Sequence, residues 1–360
     1  MKKLSSFLLV NFALLSSAAL GACSNESEKV DLLMGNMHAT SVTSISYDLL
    51  KEHVDSKENF LVAVQYSDSC TCWSHDAKPI LEQYIKEKHV IIYHVKLDDL
   101  DAHNNRFNID VVKGNVSFAI FENGEVKKTV TTNENKTLKD YVAFSSYMES
   151  MITLPRMYYV SLDDVNGLYK KNEKNIVYFS RSTCGDCSYL ETHYLRTWSK
   201  NNPGFAKKIY VLDCDQKGIR YKTDEDKVVD ADQWQEFKHQ YGLSSKNNPN
   251  YGYDNGYVPT MFLVQGDGTK VSYLSGLVVF NDSLEKDGEN YKVSNSYFTS
   301  ERKEKLQYID ADITTPVLKG MSVSKDDVNV YGEYFMWAHE ASENYFNPFV
   351  EKFLAYCEKA

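Results

Sequence analysis

The sequence has few cysteines for its length, with 7 in 360 residues. Small secreted folds that depend on disulfides have a much higher cysteine density, so this class of scaffold is excluded. Long apolar runs are also missing beyond the N-terminal segment. No later stretch approaches the roughly 20 apolar residues that a membrane-spanning helix needs. The length and the 42% hydrophobic content instead predict about two domains with ordinary cores.

The first 23 residues carry the features of a bacterial lipoprotein signal. Lys2 and Lys3 form the charged start, the segment from Leu4 to Leu20 is apolar, and Cys23 ends the lipobox-like sequence Leu-Gly-Ala-Cys. A short apolar segment with a small-residue cleavage site is a processing signal rather than a spanning helix. The resemblance implies removal of residues 1–22 and lipidation of Cys23.

Residues 23–40 are therefore assigned to the lipidated N-terminus and a tether, of which Ser24 to Lys29 is polar and short. The alternative is an uncleaved anchor with an incidental cysteine, and either arrangement places the body of the protein outside the cytoplasm. Cleavage removes two of the 40 basic residues, which leaves 38 against 50 acidic ones and a net charge of −12. A chain this acidic is not expected to bind nucleic acid.

Two cysteines separated by two residues lie at a predicted strand-to-helix turn. Cys184 and Cys187 follow the apolar run Ile176 to Phe179 and precede a helical pattern from Ser188 to Lys200. A C-x-x-C in this position is typical of a dithiol redox pair. The first sulfur would then lie where unsatisfied helix N–H groups and the positive end of the helix dipole stabilise a thiolate.

A second motif lies downstream, where Val258-Pro259-Thr260 leads into the apolar run Met261 to Val264. Together with the C-x-x-C, this motif resembles the thioredoxin superfamily. The resemblance implies that Pro259 is cis and faces the cysteines, and that Val258, Pro259 and Thr260 contact substrate. A static disulfide or half of a zinc site are the alternatives. Zinc needs about four ligands, and no second C-x-x-C or close histidine pair is present, so neither a metal nor a cofactor is expected.

The strand and helix pattern occurs twice along the chain. We predict an α/β protein of two tandem thioredoxin-like domains, each with a mixed central sheet flanked by helices, at residues 41–153 and 154–360. The second domain is enlarged by insertions at about residues 216–232, 244–257 and 281–331. The middle insertion is rich in Tyr, Asn and Gly and runs directly into Pro259, so it is either an adaptable binding loop beside the cysteines or a solvated insert.

The first domain has lost parts of the motif. Its cysteines, Cys70 and Cys72, are one residue closer together, and Val116 or Ser117 stands where the family has the cis proline. Three interpretations remain open. The pair is a labile dithiol that exchanges electrons with the second domain, a decayed site on a domain kept for binding or spacing, or a soft-metal site completed by His75.

The second domain also departs from thioredoxin. Tyr178 stands where thioredoxin has a buried acid that assists proton transfer, so that aid is expected to be missing. Asp186, between the cysteines, is expected to raise the pKa of the Cys184 thiol, which favours a reductant or isomerase over a strong oxidant, while Arg181 partly offsets it. Alternatively, Asp186 is solvated and caps the helix. The segment around Cys184 is also similar to the thioredoxin-like bacteriocin transport accessory proteins of Gram-positive bacteria.

Two function classes follow. The first is a lipid-anchored extracytoplasmic thiol–disulfide oxidoreductase of a Gram-positive bacterium, with Cys184 and Cys187 as its catalytic pair. It would act on protein or small-molecule disulfides and thiols and would need a membrane or extracytoplasmic redox partner. The alternative is a non-catalytic accessory or binding lipoprotein, active in bacteriocin export or metal handling. Solvent access to Cys184 discriminates the two classes, because a reactive cysteine must be reachable.

We expect Cys23→Ala to abolish lipid labelling and processing of the chain, because the Cys23 thiol is the lipid acceptor that the signal implies. Labelling of cells with a tagged fatty acid, followed by gel separation, measures both effects. Cys72→Ala is the matched control and should keep the label. A wild-type chain released in soluble form with residues 1–22 still attached would contradict the prediction.

Overall fold

The structure is a computed structural model that describes residues 29–67, 70–102, 106–112, 114–132, 136–216, 218–220, 231–252, 256, 258–278, 283–295, 322–323 and 350–360. The predicted signal segment and Cys23 lie outside the described residues. So do residues 221–230 and most of 296–349, which include parts of two of the predicted insertions.

The first sheet is formed by five strands of the N-terminal half. Two short strands precede it, β1 (Val30–Asp31) and β2 (Met34–Asn36). The elements that follow are β3 (Thr43–Ser44), α1 (Tyr47–Asp55), β4 (Phe60–Gln65), a π-helical segment (Cys72–Ala77) that continues as α2 (Lys78–Lys88), β5 (Ile92–Lys96), α3 (Leu97–Asp101), β6 (Val116–Glu122), β7 (Glu125–Thr131), a 3-10 turn (Thr137–Lys139) and α4 (Tyr141–Met151). The strand order is β3-β5-β4-β6-β7, with β6 and β7 antiparallel to their neighbours.

The second sheet repeats this arrangement. Its elements are β8 (Ile152–Thr153), β9 (Met157–Tyr159), α5 (Leu162–Lys170), β10 (Asn175–Ser180), α6 (Gly185–Tyr189), a π-helical segment (Leu190–Leu195), α7 (Arg196–Asn201), β11 (Ile209–Asp213), α8 (Ala231–Gln240), β12 (Thr260–Gly266) and β13 (Val271–Val278). The strand order is β13-β12-β10-β11-β9-β2, so β9 to β13 take the places of β3 to β7 with the same directions. Both units have the thioredoxin-like fold, as the sequence predicts.

The central strand of each unit is buried on both faces. In β4, Leu61 and Ala63 lie in one hydrophobic cluster, whereas Phe60, Val62 and Val64 lie in the cluster on the other face. Helices cover both faces of such a sheet, which is why this strand is continuously apolar rather than alternating. β10 is likewise buried along its whole length.

Side-chain caps define where several helices begin. The Ser46 hydroxyl accepts from the Leu49 N–H at the start of α1, and Asp140 accepts from the Ala143 N–H at the start of α4. Ser161 and Asp164 form a reciprocal capping box at the start of α5. These caps satisfy N–H groups that the helices leave without partners.

Part of the predicted insertion at 281–331 forms a separate sheet. It contains β14 (Ser283–Asp287), β15 (Asn290–Asn295) and β16 (Ser322–Val323), all antiparallel. The chain then ends in α9, residues 350–359, whose apolar face is buried in the core of the second unit. This helix shows that the chain returns to the second core after the insertion.

Residues 30–36 are not a tether, which corrects the assignment of residues 23–40. Met34 to Asn36 pair in parallel with Met157 to Tyr159 and extend the second sheet, and Val30 pairs with Ile152. Val30 and Leu32 are at the same time buried in the core of the first unit. Residues 30–36 therefore join the two units.

The part of the chain that the structure describes contains no helix that is both long and apolar enough to span a bilayer.

We expect Gly35→Ala to destabilise the protein by about 1–3 kcal/mol, because the added methyl group has no room between Gly35 and its neighbours His89 and Tyr158. A Cβ at Gly35 would lie 2.5 Å from the carbonyl oxygen of His89 and 2.9 Å from the ring of Tyr158. The midpoint of urea unfolding measures the change. Gly167→Ala, in open space within α5, is the matched control and should be neutral or stabilising by up to about 1 kcal/mol. Equal midpoints for the two variants would show that residues 30–36 are not tightly packed between the two units.

Candidate redox site

The strand-to-helix turn places Cys184 at the start of the redox helix. β10 ends at Ser180, α6 begins at Gly185, and Cys184 is the N-cap residue between them. Cys184 is partly exposed, whereas Cys187, one turn along, is only 1% exposed and lies in the core. Neither forms a disulfide in this structure. The outer sulfur is therefore accessible and the inner one protected.

Two carboxylates that the sequence analysis did not assign hold the loop before Cys184. Asp215 accepts hydrogen bonds from the Thr183 N–H and from Arg181 Nε, both at 3.0 Å, and Arg220 Nη1 lies 2.7 Å from the same carboxylate. Asp213 accepts from the Ser182 N–H at 3.1 Å. Asp213 is the last residue of β11, the strand beside β10, and Asp215 follows it. Sequence spacing gave no sign that these two side chains would meet this loop.

The predicted substrate loop lies beside the cysteines. The Val258–Pro259 peptide bond is cis, as the family resemblance implies, and it is the only cis bond within the described part of the chain. The Sγ of Cys184 lies 3.8 Å from the carbonyl oxygen of Val258. Thr260 follows as the buried first residue of β12. The structure thus places the loop formed by Val258, Pro259 and Thr260 beside Cys184.

The two thiols have opposite acidities. A hydrogen bond with the Cys187 thiol lowers the pKa of Cys184 below its ordinary value, and this effect exceeds the opposing effect of burial. Burial raises the pKa of Cys187 far above the usual range for a thiol, and the proximity of Cys184 adds to the shift. Cys184 is therefore the thiol that ionises first.

Asp186 has the expected effect on Cys184, but it does not dominate. Its charge raises the pKa of Cys184, whereas Arg181 lowers it, and both effects are smaller than the hydrogen bond with Cys187. Burial raises the pKa of Asp186 itself to about 6. The side chain is thus partly desolvated rather than a solvated cap, and no side-chain cap bond is formed at this helix start.

A buried acid is present after all, on the helix instead of the strand. Glu191 lies four residues after Cys187, and its Oε1 accepts hydrogen bonds from Ser180 Oγ at 2.7 Å and from Tyr178 Oη at 3.0 Å. Burial raises the pKa of Glu191 to about 7. The strand position itself is occupied by Tyr178, as expected, and the buried acid of this site lies on the helix instead. The signal that sequence analysis could have used is the spacing, because residues four apart lie on one helix face.

Glu191 also lines a partly open cavity of about 210 Å³ between the two units. Second-unit residues Tyr159, Ser188 and Arg196 form one wall with it, and first-unit residues Glu58 and Tyr93 face them. The side of the redox helix that carries Glu191 therefore faces the first unit across this cavity.

In the first unit, Cys70 and Cys72 form a disulfide at the start of the π-helical segment. The Cys70 Sγ lies 3.7 Å from the carbonyl oxygen of Gly114, in the loop that leads to β6. The six-residue strands β4 and β10 pair in the same register with β6 and β12, which places Val116 at the position of Pro259. The first unit thus keeps a cysteine sulfur beside a carbonyl oxygen of the loop before β6, but that loop has no cis peptide bond in its described part.

His75 does not complete a metal site in this structure. Its Nδ1 lies 3.0 Å from the hydroxyl of the adjacent Ser74. Within the described ranges, no three His, Cys, Asp or Glu side chains are close enough to hold a metal ion.

The middle insertion is packed in its described part. Tyr251 is 6% exposed, belongs to the core of the second unit, and donates a hydrogen bond to the carbonyl oxygen of Leu274 on β13. Residues 253–255 and 257 lie outside the described residues. At Tyr251, the insertion is thus part of the core.

Comparison with known proteins gives structural likenesses only. No family model and no curated protein matches the chain. A Halobacterium salinarum thioredoxin mutant is similar over 32% of this chain and 95% of its own, with 19% identity and a TM-score of 0.26. The first two thioredoxin domains of Naumovozyma dairenensis Eps1p cover 66% of this chain and 92% of their own, with 12% identity and a TM-score of 0.24. Human ERp44 is similar over 49% of this chain and 45% of its own, with 17% identity and a TM-score of 0.25.

The thioredoxin-like fold of both units is assigned from the strand order of each sheet.

We expect Asp186→Asn to lower the pKa of Cys184 and to make the pair more oxidising, because a nearby negative charge is removed. The difference should be present above pH 6 and fade below it, where wild-type Asp186 becomes neutral. Thiolate absorbance as a function of pH, together with equilibration against glutathione, measures both changes.

Asp163→Asn, in the first turn of α5, is the matched control and should leave both quantities unchanged. An unchanged Cys184 titration in Asp186→Asn would show that this carboxylate is screened from the sulfur.

Proposed function

We propose that the second unit is a thiol–disulfide oxidoreductase that acts outside the cytoplasm while the chain is anchored by lipid at Cys23. The observation that carries the redox function is the position of Cys184, which is partly exposed at the helix start and 3.8 Å from the carbonyl oxygen of Val258 in the cis-proline loop. The lowered pKa of Cys184 supports it. The anchor and the location rest on the signal sequence alone.

In the first step, the thiolate of Cys184 attacks a substrate disulfide. A bond forms between Cys184 Sγ and one substrate sulfur, the substrate disulfide breaks, and the second substrate sulfur leaves as a thiolate. In the second step, Cys187 loses its proton and attacks Cys184 Sγ. The intramolecular disulfide forms, the mixed disulfide breaks, and the substrate has gained two electrons from the cysteine pair. The reverse sequence would oxidise a substrate dithiol.

The cis-proline loop would hold the substrate chain. Thr260 pairs with Phe179 at the start of β12, so the residues just before it lie at the end of the sheet beside the exposed sulfur. A substrate backbone could therefore hydrogen-bond to residues 258–260 while its disulfide faces Cys184. Protein and small-molecule disulfides are the proposed substrates, and a membrane or extracytoplasmic redox partner would restore the pair.

For the first unit, we propose a decayed redox site on a domain retained for binding or spacing. The replacement of the cis proline by Val116 supports this reading, because the loop that would hold a substrate chain is altered. Export of bacteriocins and handling of metals gain no support from the site.

We expect Cys187→Ala to accumulate mixed disulfides with cellular proteins at several times the wild-type level, because nothing resolves the bond at Cys184. Cys184→Ala should accumulate none. Non-reducing gels of alkylated extracts measure the adducts. The double variant Cys70→Ala/Cys72→Ala should retain disulfide reductase activity within a few-fold.

Equal trapping by both single variants, or by neither, would remove the catalytic role of the pair. A loss of reductase activity in the double variant as large as that in Cys184→Ala would show a relay between the two units.

A further inference from the structure

Lys238 on α8 is a buried cation without a carboxylate partner. The residue is only 4% exposed, and lysines are almost never this buried unless they are paired. Within the described part of the chain, however, no carboxylate pairs with it, and its Nζ lies 5.4 Å from the centre of the Trp234 ring. An aromatic face attracts a cation without neutralising its charge. Lys238 therefore lacks the negative group that normally accompanies a buried ammonium.

A second donor without an acceptor lies on the middle insertion. Asn248 is 5% exposed, and its Nδ2 has no hydrogen-bond partner among the described residues. A turn at Ser244 joins Asn248 to α8. The Asn248 N–H donates to the carbonyl oxygen of Ser244 at 3.0 Å, and the Ser244 N–H donates to the carbonyl oxygen of Lys238 at 3.3 Å. Two buried donors that lack acceptors thus belong to residues on either side of one turn.

The side chain of Lys238 runs beside the cis-proline loop. A Cβ at Gly256 would lie 2.8 Å from Cδ of Lys238, so Gly256 packs directly on the lysine side chain. Val258 follows two residues later, and since consecutive Cα atoms are about 3.8 Å apart, the two residues lie within about 8 Å of each other. The carbonyl oxygen of Val258 is 3.8 Å from Cys184 Sγ. Lys238 is thus within a few residues' reach of a disulfide that faces Cys184.

The core sets the position of α8 relative to the redox pair. Phe237, the residue before Lys238, packs edge-to-face on Phe179 of β10 with ring centroids 5.8 Å apart. Trp234 stacks on Phe237 at 5.7 Å. Because β10 is the strand that leads to Cys184, the ammonium is held at a defined place beside the site.

The first unit has no counterpart of this lysine. The helix that follows β5 there is α3 (Leu97–Asp101), whose sequence Leu-Asp-Asp-Leu-Asp is acidic. The loop before β6 has no cis peptide bond in its described part. The buried cation therefore occurs in the unit that carries the C-x-x-C and the cis-proline loop.

We propose that Lys238 binds a carboxylate of the substrate, so that the second unit selects disulfides with an acidic group within about three residues of the bridged cysteine. A carboxylate supplies the negative charge that the ammonium lacks, and its two oxygens can accept from more than one donor. The proposal rests on the oxidoreductase function proposed above and names the substrate class of that site.

The charge of the whole chain makes this selection easy to recognise. With 40 basic and 50 acidic residues, the protein as a whole repels acidic substrates. A preference for an acidic peptide must therefore come from a local cation and not from the general field.

The test compares disulfide peptides that differ in one side chain. Each carries a fluorophore and a quencher on the two halves of the disulfide, with Glu or Gln two residues before a bridged cysteine. Single turnovers of the reduced full chain, followed over a range of peptide concentrations, give a limiting rate and a half-saturating concentration. Oxidised glutathione, whose carboxylates belong to a small molecule, is the third substrate.

At low concentration, we expect the wild-type chain to reduce the Glu peptide about five- to tenfold faster than the Gln peptide. The gain should lie in the half-saturating concentration and not in the limiting rate. Lys238→Met, which keeps the length of the side chain and removes its charge, should bring the ratio to about one. Lys238→Arg should keep part of the preference, because the charge is retained. Lys359→Met, at the exposed end of α9, is the matched control and should keep the wild-type ratio.

Misfolding is distinguished from loss of carboxylate binding by urea unfolding. Lys238→Met removes a buried charge that has no counterion, so it should unfold at no lower urea concentration than the wild type at pH 7. The ratio of the two peptide rates is also independent of the fraction of folded protein, because both rates scale with that fraction.

A peptide preference that persists in Lys238→Met would overturn the inference. A wild-type ratio near one, together with a glutathione rate that Lys238→Met leaves unchanged, would also overturn it. The oxidoreductase function would stand in both cases. An effect of Lys238→Met on the Glu peptide alone assigns the carboxylate to a protein substrate, and an effect on glutathione alone assigns it to a small molecule. No reaction of the wild type with any of the three would overturn the function itself, and the inference with it.

Discussion

Residues 30–36 join the two units, and the geometry behind the redox pair depends on this seam. Val30 and Leu32 enter the core of the first unit, whereas Leu33 and Met34 pack against the core of the second. The backbone pairs with β9 on one side, and Gly35 bridges to Val90 on the other. A methyl group at Gly35 would separate these surfaces. Residues 30–36 thereby hold the part of the first unit that carries Glu58 next to the redox helix.

The electrostatics of the site separate the two cysteines into different roles. Cys184, at the helix start, is partly exposed and has a lowered pKa, whereas burial raises the pKa of Cys187. A thiol that is so protected needs an acceptor for its proton before it can attack. Glu191, four residues further along, is a buried carboxyl group that accepts hydrogen bonds from Ser180 Oγ and Tyr178 Oη.

The two units show how one fold keeps or loses chemistry. Their sheets have the same strand order and the same register at the central strands. Val116 replaces Pro259 and Gln65 replaces Ser180, while both units keep a pair of sulfurs at the start of a helix and a loop carbonyl beside the first sulfur. The hydrophobic frame is retained in both, because it depends on apolar volume rather than on the reacting groups.

The sequence by itself determined the duplicated α/β frame, because that frame depends on local periodicity. The family resemblance carried by the motifs at Cys184, Cys187 and Pro259 implied that these residues meet. The sequence did not determine the strands at residues 30–36, which are too short to show a period and form only because two surfaces cover them. The contacts of Asp213, Asp215, Glu58 and Glu191 were likewise decided by tertiary structure. Polar side chains that meet across strands and between units leave no spacing rule in the chain, since the fold alone sets their distances and their desolvation.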